Sequence, residues 1–195
     1  MALRSHWFDQ QLFFNANVFY VDYEDQQVSE RVQIDPTTTL AHVTNAGKSH
    51  KYGAELEMTY RPLDLPGFEI YANLGWLETH YDDYVDGANN YSGNDFQRAP
   101  NFTSALGVSY FHSSGVFGSI EGSYRDNTYS DTANTRGTDS HIVVDAKLGY
   151  TYDEKYTVYV YGRNLFDEEY LENVSSSNAI VGAPQTFGVM LDVRF

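Results

Sequence analysis

A strict two-residue alternation at the end of the chain constrains the fold more than any other feature. Phe187, Val189, Leu191, Val193 and Phe195 take turns with Thr186, Gly188, Met190, Asp192 and Arg194. On a helix the polar members would interleave around the whole cylinder and no apolar stripe could form; on a strand the large apolar residues share one face. The pattern recurs upstream. Leu12, Phe14, Ala16, Val18 and Tyr20 form one row, and Ala54, Leu56, Met58 and Tyr60 oppose Glu55, Glu57, Thr59 and Arg61. Phe68, Ile70, Ala72, Leu74 and Trp76 oppose Glu69, Tyr71 and Asn73, while Phe102, Leu106, Val108 and Tyr110 oppose Thr103, Ala105 and Ser109. Ile142, Val144, Ala146, Leu148 and Tyr150 oppose His141, Asp145, Lys147 and Thr151. The expected fold is all-β, an antiparallel meander of about nine strands in one unit over 1–195, the first cut short at Leu3 to Phe8. From Tyr156 to Leu165 the face stays open, because Val158 and Val160 fall in one register and Tyr159 and Tyr161 in the other.

The connections alternate as regularly as the strands. Tight breaks at Asp9-Gln10, Pro62 to Gly67, Ser113 to Gly115 and Asp153 to Lys155 are separated by longer polar stretches. These run from about Asp35 to Ala41, Val85 to Ala99, Asp131 to Thr138 and Asn173 to Pro184. Short turns at one end and long loops at the other are the pattern of an outer-membrane barrel.

Composition supports that reading. Aromatic residues make up 16% of the chain, 17 of them Tyr, yet mean hydropathy is only -0.48. A membrane barrel reconciles the two, since lipid-facing and polar residues alternate while rings gather at the membrane interfaces. No apolar run approaches the ~20 residues of a spanning helix. The formal net charge of -15 and the lack of a basic block argue against a nucleic-acid partner. Cys is absent, which removes thiolate chemistry and Cys-based metal sites. No leader with an apolar core and a small-residue cleavage site opens the sequence.

Two stretches near the end resemble the C-terminus of the TonB-dependent receptor family. Asn164-Leu165-Phe166-Asp167-Glu168-Glu169-Tyr170 is similar to that family's penultimate strand region, and Gly182-Ala183-Pro184-Gln185-Thr186-Phe187-Gly188-Val189 leads into a last strand ending at Phe195. Asn45-Ala46-Gly47-Lys48 followed by Tyr52-Gly53-Ala54-Glu55-Leu56-Glu57, and Arg98-Ala99-Pro100, resemble strand starts of the same family. Gln185 departs from the pattern, where Arg is frequent. The resemblance implies a bacterial outer-membrane barrel of ~22 strands around a plug, with this chain its C-terminal part. The plug, the TonB-engaging segment, the leader and the earlier strands would then lie outside this sequence. It also implies import of a scarce nutrient, a ferric siderophore ahead of cobalamin, energised by TonB. The implied partners are the plug, TonB, outer-membrane lipid with its lipopolysaccharide, and the barrel-assembly machinery.

No catalytic or cofactor-binding motif accompanies these features. The six histidines lack paired metal-ligand spacing and no Ser stands in a nucleophile context, so neither an enzyme nor a resident metal or cofactor is expected. Tyr81, Tyr84, Tyr91, Arg98 and Arg136 are the candidate ligand contacts, the tyrosines and Arg98 in a run that also holds Asp82, Asp83, Asp86 and Asp95. That run misses the calcium-loop spacing and more often marks a solvated loop. Arg98, Arg125 and Arg136, near outer strand ends, could meet an anionic siderophore or pair with wall carboxylates. Glu55, Glu57, Glu69, Glu121, Asp145 and Asp192 are expected to line the lumen, because carboxylates facing lipid would be costly. Trp7, Tyr20, Tyr60, Trp76, Tyr110 and Tyr150 are expected at the membrane interfaces. Phe195 is the expected assembly signal, with a plain lipid-facing girdle ring as the alternative. A passive porin or other barrel, and a soluble carbohydrate-binding β-sandwich, are the competing architectures.

Overall fold

The computed structural model describes residues 1–194, and at 30–33 and 39 the backbone alone. Nine strands form one antiparallel sheet in chain order: β1 (Ala2–Trp7), β2 (Leu12–Asp35), β3 (Thr38–Tyr60), β4 (Phe68–Asp83), β5 (Phe102–Phe111), β6 (Val116–Arg125), β7 (His141–Tyr152), β8 (Tyr156–Arg163) and β9 (Thr186–Val193). Each strand pairs only with its sequence neighbours, and β1 and β9 do not meet, so the sheet is open.

The register puts every expected lumen carboxylate on one face. Glu55 stands opposite Asn17 and Gly75, Glu57 opposite Asn15 and Asn73, and Glu121 opposite Gly107 and Asp145. The other face is apolar and open: Leu106, Ile120, Leu148 and Val189 are each more than half exposed. A soluble sandwich would cover such a face with a second sheet. Among the described residues only three two-stranded hairpins accompany the main sheet, so the sandwich alternative fails.

Aromatic rings bound the apolar face on two levels. Tyr20, Tyr52, Trp76, Phe102 and Tyr124 lie toward the long-loop end; Trp7, Tyr60, Phe68, Tyr110 and Tyr150 lie toward the tight turns. On β3, β4 and β5 the two levels are eight residues apart, about 26 Å along a strand. At barrel tilts that gives roughly 20 Å of height, close to a membrane's apolar band.

The strand whose face the sequence left open is settled by its neighbours. Val158 pairs with Tyr150 and Leu191, and Val160 with Leu148 and Val189, so the valines join the apolar face. Tyr159 and Tyr161 turn to the polar face, where they pack over Gly149 and Gly188; a Cβ at either glycine would lie 2.5 Å or less from a tyrosine atom.

One expected loop is not a loop. Residues Asp35 to Ala41 close a two-residue hairpin at Pro36-Thr37, where Asp35 accepts bonds from the Thr37 N–H and hydroxyl, both 2.8 Å. The strands on either side continue far past their neighbours. This outer arm extends about a dozen residues beyond Tyr23, roughly 35–40 Å.

Candidate ligand mouth and the wall beneath it

The arm changes phase where it leaves the wall. Below Glu24 the odd positions turn inward, with Ser49 and Gly53 buried; above it the even ones do, with Val28 and Ala46 buried. Asp25 stands at the switch with φ 54; it and Gly47 fall in a gap of the ladder between Glu24–Lys48 and Gln26–Ala46, a break that re-aims the side chains beyond it.

The inward positions of the arm seed a small core. Val28, Ala46, Tyr81 and Tyr84 are buried together, with Tyr91 and Phe96 packed against them. Ring centroids lie 4.7 Å apart for Tyr81 and Phe96, 5.0 Å for Tyr81 and Tyr84, and 5.2 Å for Tyr84 and Tyr91. The Tyr84 hydroxyl lies 2.7 Å from that of Thr44. Tyr81 and Tyr84, each 2% exposed, present no open face to solvent here, and their work is to hold the loop. Tyr91 remains half-buried at its edge.

The 84–101 loop is bolted to the 126–140 loop by polar side chains. Asn94 donates to the Thr132 carbonyl at 2.8 Å, and the Asp95 N–H donates to Asn134 Oδ1 at 2.8 Å. Asn134 Nδ2 donates back to the Asp95 carbonyl at 3.1 Å, and Gln97 donates to the Thr132 hydroxyl. Thr132 is fully buried between them. Asp131 organises the turn beneath, accepting from the N–H groups of Thr135 and Arg136, each at 2.9 Å, and from the Thr135 hydroxyl. Burial pushes its carboxyl up, but these bonds and the Arg136 guanidinium outweigh that and hold it below the usual carboxylate range.

Both candidate arginines sit on this bolted unit. Arg98 is exposed, with φ 58, and its N–H donates to the Tyr129 carbonyl at 2.8 Å. Arg136 is partly exposed, its guanidinium 3.5 Å from Asp131. The third long loop joins through the Val174 N–H, which donates to Ser130 Oγ at 3.3 Å. Among the described residues no His, Cys, Asp or Glu group is arranged to hold a metal ion.

At the root of that third loop Asn164 is a buried hub. Its amide donates to the carbonyls of Glu168 at 2.9 Å and Ala183 at 3.1 Å, and its Oδ1 accepts the Glu168 N–H at 2.8 Å. Its own N–H donates to Asp145 on the wall at 2.9 Å. Gln185 Nε2 donates to the Leu165 carbonyl at 2.8 Å, so Gln at the departing position still ties the end of β8 to the start of β9. Tyr170 stacks on His141, centroids 4.1 Å apart, over Gly182. Asn164 and Tyr170 thus have geometric work that explains a motif the sequence shows only as a resemblance.

A sequence profile described as "TonB dependent receptor-like, beta-barrel" matches residues 2–165. The chain belongs to the TonB-dependent receptor β-barrel family. Solved structures agree on the fold. The siderophore receptor PiuA from Acinetobacter baumannii is 23% identical with a TM-score of 0.77, over 97% of this chain and 27% of that one. The ferric yersiniabactin uptake receptor FyuA from Yersinia pestis is 22% identical with a TM-score of 0.78, over 100% of this chain and 29% of that one. The copper transporter OprC is 13% identical with a TM-score of 0.76, over 98% and 30%. The chain thus spans less than a third of each of these proteins. TonB-dependent receptor barrels are outer-membrane proteins of a transporter class, so the apolar face corresponds to the lipid side and the carboxylate face to the lumen.

On the lumen side of this receptor wall, Asn15 donates to Glu57 at 2.8 Å, Arg61 to Glu69 at 2.6 Å, and the Tyr71 hydroxyl to Glu121. Asp145, Lys147, Tyr161 and Arg163 share a recess of about 400 Å³ with Tyr71 and Glu121. The assembly signal assigned to Phe195 lies outside the described residues.

Proposed function

We propose that this chain is the C-terminal part of the barrel of an outer-membrane active-transport receptor for a scarce nutrient, a ferric siderophore ahead of other cargo, energised through TonB. Arg98 and Arg136, carried on one bolted pair of loops at the mouth, support that reading best, because guanidinium groups match anionic chelates through charge and paired donors. Tyr91, on the same loop as Arg98, is the third contact, while Tyr81 and Tyr84 act through the loop core. The lumen carboxylates offer acceptors to a plug, and the outward rings meet lipid and lipopolysaccharide. The protein works by binding and transport, not by covalent chemistry. Phe195 serves the barrel-assembly machinery.

In the full-length receptor, Arg98→Glu with Arg136→Glu should weaken binding of an anionic ferric siderophore about tenfold or more while leaving surface abundance unchanged. Titration by intrinsic fluorescence measures it. Unaltered affinity would remove these arginines from the site, and uptake at full rate in cells lacking TonB would favour a passive porin.

A further inference from the structure

We propose that the outer arm, the top of the wall and the 84–101 loop are fastened by a histidine–carboxylate latch that tightens as pH falls below neutral. Three such bridges cluster there. His42 Nε2 on the arm lies 2.9 Å from Asp86 of the loop, His50 Nδ1 on β3 lies 2.8 Å from Asp82 of β4, and His80 Nδ1 on β4 lies 3.7 Å from Asp95 of the loop. The first joins arm to loop, the second β3 to β4 at the top of the wall, and the third β4 to the loop, on elements otherwise held by the Tyr81–Tyr84 core.

Charged and aromatic groups surround these bridges. His50 stands between Asp22 of β2 and His80 of β4 in the register, with the ring centroids of Tyr20 and Tyr52 each 6.0 Å away. Glu78 adds negative charge beside Asp95. Lys48, between Glu24 and Asp83 in the register, is the nearby cation on the same strand, and Lys51 is engaged over the Tyr23 ring. His50 and His80 also face each other, centroids 5.9 Å apart, flanked by Asp22, Asp82 and Asp95.

Histidine changes charge between about pH 5 and 8, so protonation converts each neutral contact into an ion pair bridging arm, wall and loop. The latch is therefore closed in mildly acid solution and loosens as pH rises through that range. In stronger acid it weakens again. Burial, with Glu78 adding to it and His80 opposing, pushes the Asp95 carboxyl above its ordinary range, so the His80 bridge is released as Asp95 takes up its proton. The neutral bolt of Asn94, Gln97, Thr132 and Asn134 contains no group that titrates, and it supplies an internal reference. The latch does not depend on which cargo the receptor carries.

Hydrogen exchange of the full-length receptor in detergent, normalised for intrinsic rates, tests this. Amides of residues 84–92 should gain about tenfold protection between pH 8 and pH 6, the sum of three modest exposed pairs, while amides of residues 131–136 stay level. The variant His42→Gln, His50→Gln, His80→Gln keeps hydrogen-bonding side chains that do not titrate and should show no such gain. Should that variant fail to assemble, Asp82→Asn with Asp86→Asn leaves every histidine in place and should lose most of the gain. Equal protection at both pH values, an equal rise at 131–136, or a gain undiminished in the variant that assembles would overturn the proposal.

Discussion

The wall and the cap formed by the 84–101, 126–140 and 164–185 loops are stabilised by different means. In the wall, backbone ladders run from β1 to β9 and most side chains follow one rule, apolar outward and polar inward, with Ser104 outward and Met190 inward among the exceptions. In the cap the ladders are short, two to four residues in each hairpin, and side-chain amides and hydroxyls take over as the connectors. The wall tolerates change that respects its rule and fails where the rule is broken. The cap has no such rule, and its stability rests on a few particular atoms.

The largest effect should come from breaking the rule at mid-membrane. Leu106 lies midway between the rings of Phe102 and Tyr110 and faces outward, more than half exposed on the apolar face. Leu106→Arg in the full-length receptor should cost about 2–4 kcal/mol, measured by refolding into lipid vesicles across a denaturant series. A neutral result would mean that this face does not meet lipid. Next comes the seam between wall and cap. Asn164→Ala should cost roughly 2–3 kcal/mol, because the Glu168 N–H and two carbonyls lose their partner in a buried place. The loss should appear as faster exchange at residues 165–170 and 183–186; loss spread evenly over the barrel would show that Asn164 is not a local hub.

Smallest is the test within the cap. Asp131→Asn should cost about 1 kcal/mol and leave the wall untouched. Because the Asp131 carboxyl is held below its unfolded range, its contribution is fully present above that range and is lost as pH falls through the depressed value. Exchange protection at residues 132–136 should therefore persist at neutral pH and collapse only in strong acid, and Asp131→Asn should remove that acid transition. A transition retained in the variant would assign it to another carboxylate.

Those contrasts also decide what could be read from residues alone. A period of two is a property of the pleat, so strand number, the tight turns and the faces of Leu56, Trp76 and Leu148 were legible. The face of Tyr156–Arg163 was not, since both registers carry bulky side chains and the choice rests on glycines in neighbouring strands, Gly149 and Gly188. Pro36 and the threonines after it suggested a loop because their polarity hid a two-residue hairpin. Tyr81 and Tyr84 were legible as an aromatic pair but not as a buried one, because the arm residues that cover them, Val28 and Ala46, lie far earlier in the chain. Thr132 and Asn134 carried no signal beyond polarity, since a bolt between two loops depends on where both backbones lie. Asn164 was visible only through resemblance; its bonds cross from one strand end to the start of the next.

The phase switch at Asp25 has a consequence for how such a protein can change through descent. Along an unbroken strand, inserting one residue would exchange inside for outside at every later position. With the exchange already made at the boundary, the arm keeps its own inside and outside, and its substitutions need not conform to the code of the barrel below. Lineages can therefore lengthen or rewrite the arm while the bilayer-spanning ladder stays as it is, and Asp25 with Gly47 marks the place where an arm from one receptor could be spliced onto the barrel of another.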